Sequence, residues 1–351
     1  MEVLRTFMIS SDLFLQACRR EPVTQVPVWY MRQAGRYQPE YRKIREKYSL
    51  VEICQIPELC SQVTKLPVTQ LGVDAAILFS DIMIPVGAMG LDFEIKEGVG
   101  PIIDTPVRSA ADVERLRVPD PEESLSHVLE TIHMLRQDLT VPLIGFSGAP
   151  FTLASYMVEG GPSRHYVRTK QLMAGNTPVW NSLMNKLAEM VIVYMKAQIK
   201  AGAQAIQLFD SWVGSLAPDD FQTYVLPTMK HIFNALQETG VPLIYFGVTS
   251  GELLSMFAET GANVIGVDWR VPIRSARHRV GQAKALQGNL DPVMLFAPWP
   301  EIERRAKSIL DAGLEENGFI FNLGHGVLPE VEVAVLQRLT AFVHEYSSQK
   351  W

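Results

Sequence analysis

Eight short apolar runs recur along the chain, and they restrict its fold more than any other feature. Each run is almost continuously apolar instead of alternating, which is typical of strands buried on both faces of a sheet. Amphipathic stretches with helical spacing separate the runs, most clearly at 218–238, 292–310 and 330–346. Eight alternating strand–helix units predict an α/β fold, a single (β/α)8 barrel domain over residues 1–351. The runs are residues 26–31, 75–80, 142–147, 205–211, 242–248, 264–269, 285–290 and 319–323.

An open, doubly wound sheet is the alternative architecture. Such a sheet normally carries a glycine-rich phosphate loop after its first strand. The first run here is followed by Met31-Arg-Gln-Ala-Gly-Arg36, which is no such loop. Long connections at 32–74 and 148–204 predict extra helices, the first set near the N-terminus, that form one wall of a cleft. The glycine-rich stretch 87–104 predicts an excursion from the barrel with a hairpin.

The composition is that of a soluble globular enzyme, with 47% hydrophobic and 20% charged residues, and it excludes a disordered chain. A formal charge of −6 argues against general nucleic-acid binding. No apolar window is long enough to predict a membrane span, and the first residues lack the apolar core of a secretory signal. The three cysteines, Cys18, Cys54 and Cys60, are too few and odd in number for a disulfide framework, which predicts a cytoplasmic location.

One segment is basic in this otherwise acidic protein. Between Arg32 and Lys47 lie six cationic side chains and two acidic ones. The planar guanidinium group of arginine matches the two oxygens of a carboxylate. Arg32 and Arg36 would share a face if the segment were helical, whereas Gly35 would permit a tight path if it were a loop. The segment predicts a substrate with several carboxylates, and a solvated basic surface is the alternative interpretation.

Polar residues follow nearly every predicted strand. The carboxyl ends of barrel strands form one face, where active sites of this fold lie. Asp81 could be a helix N-cap or an acceptor-only group over the barrel mouth. His325, between Gly324 and Gly326, could be a turn residue or could approach a ligand closely. The strand-end residues are Arg32, Arg36, Asp81, Ser147, Asp210, Ser211, Asp268, Arg270, Asn289, Asp291 and His325.

Several kinds of catalytic motif are missing. The segment Gly145-Phe-Ser-Gly148 is not a nucleophile elbow. The chain has no His-Glu-x-x-His, no Cys-x-x-Cys and no Walker loop. No lysine follows a predicted strand, which disfavours Schiff-base or pyridoxal chemistry. We therefore expect neither a metal nor an organic cofactor.

Two long segments resemble signatures of the uroporphyrinogen decarboxylase family. They are Pro27-Val-Trp-Tyr-Met-Arg-Gln-Ala-Gly-Arg36 and Gly145-Phe-Ser-Gly-Ala-Pro-Phe-Thr-Leu-Ala-Ser-Tyr-Met-Val-Glu-Gly160. Four shorter matches occur in the family's order: Phe79-Ser-Asp81, Gln207-Leu-Phe-Asp-Ser211, Gln287-Gly-Asn-Leu-Asp-Pro292 and Asn322-Leu-Gly-His-Gly326. The resemblance implies a homodimeric carboxy-lyase with a barrel fold and no cofactor. Its members convert the four acetate side chains of uroporphyrinogen III to methyl groups, giving coproporphyrinogen III in haem and other tetrapyrrole biosynthesis.

The resemblance also implies roles for individual residues. Asp81 would accept hydrogen bonds from pyrrole N–H groups, and Arg32 and His325 are rival candidates for proton transfer, with a narrow preference for Arg32. Arg36 would bind substrate carboxylates, and Tyr156 would join the catalytic group. Phe209 and Met31 would supply apolar walls, and Arg45 matches a further arginine near the pocket. The predicted substrate-binding residues are Arg32, Gln33, Ala34, Gly35, Arg36, Asp81, Tyr156, Phe209, Ser211 and His325.

Two other functions compete with this interpretation. Zinc-dependent corrinoid methyltransferases share the fold, but they need thiolate and imidazole ligands at the barrel mouth. All three cysteines here lie before residue 61, and Cys54 and Cys60 fall in a predicted helical stretch. A non-enzymatic tetrapyrrole carrier would bind a porphyrin and release no CO2.

Overall fold

The computed structural model describes residues 12–96 and 98–350. Seven strands form one parallel sheet in the order β1-β4-β5-β6-β7-β8-β9, and β2 pairs with β3 in an antiparallel hairpin. The strands are β1 (Ala76–Ile77), β2 (Glu94–Lys96), β3 (Gly100–Ile102), β4 (Leu143–Gly148), β5 (Ala205–Asp210), β6 (Leu243–Gly247), β7 (Val264–Gly266), β8 (Ala285–Leu290) and β9 (Phe319–Leu323). The runs predicted from residue 75 onward thus all contain strands, and the predicted hairpin is confirmed.

The first predicted strand, residues 26–31, is the exception. It makes one parallel bridge, between Val28 and Phe321 of β9, and no regular ladder. On its other side the Asp74 N–H donates to the Val28 carbonyl at 2.8 Å. Side-chain oxygens accept from four of its N–H groups. Val28 donates to Asp74 Oδ2 (2.7 Å) and Met31 to Asn322 Oδ1 (3.0 Å), while Val26 and Tyr30 donate to Ser347 Oγ and Gln33 Oε1. The segment therefore fills the eighth position of the barrel, bonded at both edges, without the hydrogen-bond pattern of a strand.

Helices surround the sheet and fill the long connections as predicted. In chain order they are α1 (Leu13–Cys18), α2 (Pro39–Arg45), α3 (Leu50–Gln55), α4 (Pro57–Leu71), α5 (Ile84–Ala88), α6 (Ala110–Arg115), α7 (Pro121–Ser124), α8 (Ser126–Asp138), α9 (Pro150–Glu159), α10 (Val167–Gly175), α11 (Thr177–Ala201), α12 (Pro218–Tyr224), α13 (Leu226–Gln237), α14 (Leu254–Glu259), α15 (Ile273–Val280), α16 (Trp299–Gly313) and α17 (Val333–Ser348). Short 3-10 turns lie at Val213–Ser215, Gly251–Leu253 and Pro292–Phe296.

The predicted helix 218–238 is two helices, α12 and α13, that meet at Val225. Pro227 has no N–H to donate and restricts the residue before it, so a continuous helix cannot pass this point unbent. The amphipathic spacing survives the break, because Phe221, Met229 and Leu236 are all fully buried. Helical periodicity thus located the buried face correctly and missed the interruption.

The barrel interior is partly polar beneath the mouth. Trp29 Nε1 donates to Gln287 Oε1 at 2.8 Å, and Gln287 Nε2 donates to Gln207 Oε1 at 3.0 Å. Both glutamines are fully buried. This chain of bonds ties the bridged segment to β8 and β5 across the barrel, which fixes the strand ends relative to one another.

None of the helices within 12–96 and 98–350 is both long and apolar enough to cross a membrane. The N-terminal residues, for which we expected no secretory signal, lie outside the described part of the chain.

Candidate active site

Arg32 follows the bridged segment and stands at the barrel mouth. Arg32 and Arg36 both lie in a loop, so the alternative in which they share one face of a helix is wrong. The backbone of Arg32 is left-handed, with φ +57°, which is uncommon for a residue other than glycine. The stem of its side chain passes directly over Gly326. A Cβ atom on Gly326 would clash with Arg32 Cδ and lie 2.7 Å from Arg32 Cγ. The absence of a side chain at Gly326 therefore leaves the space that the Arg32 side chain occupies.

The loop after Arg32 is held by buried hydrogen bonds. Gln33 Oε1 accepts from the Tyr30 N–H (3.1 Å), and Gln33 Nε2 donates to the Ala75 carbonyl (3.0 Å). The Gly35 N–H donates to Gln38 Oε1 at 3.1 Å. The Gln33 side chain is fully buried, and both ends of its amide form hydrogen bonds within the protein. Its contribution is therefore to fix the loop beside β1.

Both arginines of the loop are exposed, and neither forms a salt bridge with a residue in the described ranges. Arg36 offers its carbonyl to Arg42, whose guanidinium donates to it at 2.9 Å. Ala34 packs against the small apolar cluster that includes Tyr41. Arg45, on α2, donates to the Tyr48 carbonyl at 2.8 Å. The guanidinium groups of Arg32 and Arg36 thus remain available for an acidic ligand.

Asp81 lies four residues beyond β1 and is partly buried. Its Oδ1 accepts from the Met83 N–H at 2.8 Å, just ahead of α5. Its Oδ2 accepts no hydrogen bond from any described residue. Burial raises the pKa of Asp81, while the Met83 N–H and the positive charge of Arg32 oppose that rise. The local turn accounts for one oxygen only and leaves the other free to accept at the mouth.

Tyr156, on α9, lies within the same electrostatic environment. Burial raises its pKa to about 12, the negative charge of Asp81 adds to the rise, and Arg32 opposes it. The phenol therefore keeps its proton at neutral pH and can donate it in a hydrogen bond. Its ring packs on Trp212, with 3.9 Å between centroids and 36° between planes.

His325 is less suited to proton donation than its ordinary pKa suggests. Its pKa is lowered from 6.5 to about 4, chiefly by burial and also by the positive charges of Arg32 and Arg270, while Asp268 opposes the shift. The imidazole is therefore neutral at physiological pH.

The remaining residues predicted at the site are Phe209, Ser211 and Met31. Phe209 lies edge-on to Phe146 (5.4 Å) and to Phe246 (6.2 Å), and Phe246 is 6.3 Å from the His325 ring. Ser211 is partly buried directly after β5. Met31 is only 1% exposed, so its side chain lies in the core and not on the surface of the site.

Sequence reasoning missed Trp212, whose ring stacks on Tyr156. The available signal was its place just past a strand end, next to Ser211. A cavity of about 320 Å³ also lies at this end of the barrel, lined in part by Thr249, Asp268 and Arg270. Buried Asp268 accepts from the Arg270 N–H (3.0 Å) and from its guanidinium (2.9 Å), so the charges there are already paired.

The two glycines that flank His325 should respond differently to alanine. Gly326→Ala would push against the flexible stem of Arg32, so we expect kcat to fall about a hundredfold, as displacement of a positioned group by about 1 Å can cause, with little change in Tm. Gly324→Ala is the matched control, because its Cβ would meet the backbone of Trp269, with Cα at 3.0 Å. It should lower Tm. Equal effects of the two changes on Tm would contradict this assignment.

Comparison with known proteins supplies the family. The family model described as uroporphyrinogen decarboxylase (URO-D) matches residues 10–346. The chain belongs to the uroporphyrinogen decarboxylase family. It is 59% identical over 341 residues to the uroporphyrinogen decarboxylase of Geobacillus thermodenitrificans, covering 97% of this chain and 99% of that one. It is 58% identical over 341 residues to the uroporphyrinogen decarboxylase of Bacillus subtilis, with coverage of 97% and 96%. The predicted family is confirmed.

Solved structures add the fold. A methyltransferase from Methanosarcina mazei aligns with TM-score 0.77 and 20% identity over 96% of this chain and 98% of its own. A B12-independent methionine synthase from Shewanella aligns with TM-score 0.58 and 11% identity over 84% of this chain and 89% of its own. At such identities the likeness concerns the fold alone. Within the described residues, no three histidine, cysteine or acidic side chains cluster as a metal site would need. The family model and the relatives of 58–59% identity favour the decarboxylase over the methyltransferase alternative.

Proposed function

We propose that this protein is a carboxy-lyase that converts the four acetate side chains of uroporphyrinogen III to methyl groups, yielding coproporphyrinogen III for haem and other tetrapyrrole biosynthesis. The observation that carries the proposal is the close identity, over nearly the full chain, to relatives named uroporphyrinogen decarboxylase. The geometry at the barrel mouth agrees with it. Exposed guanidinium groups and one free carboxylate oxygen lie where active sites of this fold are found.

Substrate recognition follows from complementary chemistry. Uroporphyrinogen carries eight carboxylates, which Arg32 and Arg36 would bind through charge-assisted hydrogen bonds. It also carries four pyrrole N–H donors that can turn toward one point. The free Oδ2 of Asp81 would accept from them, and Phe209 would line the apolar side of the macrocycle.

The reaction needs no external electron acceptor. A proton added to a pyrrole ring carbon makes that ring cationic. When the bond from the acetate methylene to its carboxylate breaks, CO2 leaves and the bonding electrons neutralise the ring. A second proton then joins the methylene carbon to give the methyl group, and the first proton leaves the ring. Asp81 would stabilise the cationic ring as a fixed negative charge in a partly dried site.

Arg32 is our choice for the essential group in proton transfer, although a guanidinium is a weak acid. His325 is neutral at the pH of the reaction, because its pKa is lowered to about 4. Tyr156, with a pKa of about 12, can hold a substrate acetate by a hydrogen bond. We assign His325 a supporting hydrogen bond and Ser211 a contact with an acetate or a water molecule.

The pH profile tests the role of His325. Since the imidazole titrates near pH 4, His325→Asn should lower the rate without changing the shape of the kcat/KM profile between pH 5 and 8. The measurement is kcat/KM across that range for both proteins. A profile that flattens in the variant would instead identify His325 as the group that transfers the proton.

Anaerobic incubation with enzymatically made uroporphyrinogen III tests the function itself. We expect intermediates with seven, six and five carboxylates and a final product with four, separated by chromatography. EDTA in a parallel reaction should leave the rate unchanged. Tight binding of oxidised porphyrin without any release of CO2 would indicate that the protein is a tetrapyrrole carrier and not a decarboxylase.

We also propose a cytoplasmic homodimer. The cytoplasmic assignment rests on Cys18, Cys54 and Cys60, which are all buried and unpaired, as is usual in a reducing compartment. The dimer rests on the family resemblance. One chain has a mass of 39.3 kDa. Light scattering of the purified protein should give twice that mass, and the mass of a single chain would reject the dimer.

A further inference from the structure

Asp210, at the end of β5, is a fully buried carboxylate outside the group that would touch substrate. It forms no salt bridge with a cation among residues 12–96 and 98–350. Its partners are two hydroxyl groups: Thr152 Oγ1 donates to Oδ1 at 2.6 Å, and the Tyr245 hydroxyl donates to Oδ2 at 2.7 Å. Burial without a cation is costly for a carboxylate and raises the pKa of Asp210 to about 6. Residues kept at such a cost often serve a functional site.

The Thr152 hydroxyl links this carboxylate to the candidate site through hydrogen bonds. It donates to Asp210 and accepts from the Trp212 N–H at 3.2 Å. Because Asp210 cannot donate when ionised, it fixes the direction of the threonine hydroxyl and leaves the oxygen free to accept from Trp212. One carboxylate therefore holds both α9, which carries Thr152, and the chain just after β5.

Those two elements carry the two rings that stack at the mouth. Thr152 and Tyr156 are four residues apart on α9, so they lie on one face of the helix. Trp212 lies against Tyr156 with 3.9 Å between ring centroids, and Tyr166 flanks it on a further side at 5.2 Å. A shift of α9 relative to β5 would move the Tyr156 ring along that of Trp212.

The far side of the network is buried in the core. Tyr245 is fully buried, and its ring packs against Phe257 at 4.1 Å and Phe233 at 5.7 Å. The Ala149 N–H, just before α9, donates to the Phe209 carbonyl at 2.8 Å. Asp210 thus connects a buried, closely packed tyrosine in the core to the face of α9 that carries Tyr156.

We propose that Asp210 is a positioning residue that sets the place of the Tyr156 hydroxyl at the barrel mouth, acting through Thr152 and Trp212. The inference rests on the proposed decarboxylase function, in which Tyr156 holds a substrate acetate. Asp210 itself touches no substrate. Its carboxylate determines whether the phenol meets the acetate in the geometry that the reaction requires.

A pair of matched variants tests the connection. Thr152→Ser keeps the hydroxyl and should retain kcat within about threefold, whereas Thr152→Val keeps the shape and removes the hydroxyl. We expect Thr152→Val and Asp210→Asn each to lower kcat about tenfold to a hundredfold with a smaller change in KM, as loss of orientation does. Equal kcat values for Thr152→Ser and Thr152→Val would overturn the proposal.

A double-mutant cycle with Tyr156→Phe separates positioning from a purely structural role. If the network acts through the Tyr156 hydroxyl, Thr152→Val should lower kcat less than twofold once that hydroxyl is gone. Undiminished loss in the Tyr156→Phe background would overturn the inference. Wild-type protein that releases no CO2 from uroporphyrinogen would instead reject the proposed function, so the two failures are distinct.

Discussion

Asp81→Asn is expected to lower kcat about a hundredfold to a thousandfold, or roughly 3–4 kcal/mol of transition-state stabilisation. In the proposed mechanism, the free Oδ2 of Asp81 accepts from the pyrrole N–H groups. Asparagine would present N–H donors to those donors and would remove the charge that stabilises the cationic ring. The fold should persist, because the asparagine Oδ1 can still accept from the Met83 N–H, as Asp81 Oδ1 does at 2.8 Å.

Asp291→Asn is the matched control for this change. Asp291 also follows a barrel strand, and its Oδ1 accepts from the N–H two residues ahead, that of Val293, at 3.0 Å. Its substitution removes the same charge from the same kind of turn and should leave kcat near the wild-type value. The measurements are steady-state kinetics and Tm of both variants. Near-normal turnover by Asp81→Asn would show that Asp81 does not accept from the pyrrole N–H groups at the centre of the bound macrocycle.

The strands of the barrel could be predicted because apolar runs report burial directly. The first run could not be predicted as a bridged segment, because four of its N–H groups donate to side chains, among them those of Asp74 and Asn322. These lie far from it in sequence, and periodicity gives no information on hydrogen-bond partners. The break at Val225 was visible in principle, since Pro227 stands inside the predicted helix.

The candidate site, like the fold, could be predicted from the sequence only in part. The rule that polar residues at strand ends converge predicts Arg32, Asp81 and His325 as neighbours. In the structure the positive charge of Arg32 acts to lower the pKa of both Asp81 and His325. The lowered pKa of His325 depends on burial by the folded chain, which no local motif encodes. The partners of Asp210 lie 58 and 35 residues away along the sequence, so its hydrogen bonds appear only in the structure.

Arg32→Gln should be the most damaging change in the basic segment. The backbone of Arg32 is left-handed and its stem lies over Gly326, so the guanidinium is held at the mouth beside Asp81. Glutamine is shorter and uncharged. Loss of two charge-assisted hydrogen bonds, at about 1.5–3 kcal/mol each, predicts a fall in kcat/KM of more than about a hundredfold. Arg36→Gln should act mainly by raising KM, because in the proposed mechanism Arg36 binds carboxylates that do not react.

Lys43→Gln distinguishes this role from that of a solvated basic surface. Lys43 lies in the same segment and is exposed on α2, so its loss removes the same charge without removing a group from the mouth. If the segment acts only by attracting an acidic substrate, all three variants should lose similar, salt-dependent fractions of kcat/KM. If Arg32 takes part in the reaction, its loss should remain large at high salt and should appear in kcat, while Lys43→Gln stays close to wild type. Equal losses in the three variants would reassign the basic segment to substrate attraction and leave the proton donor to be found among the other groups at the mouth.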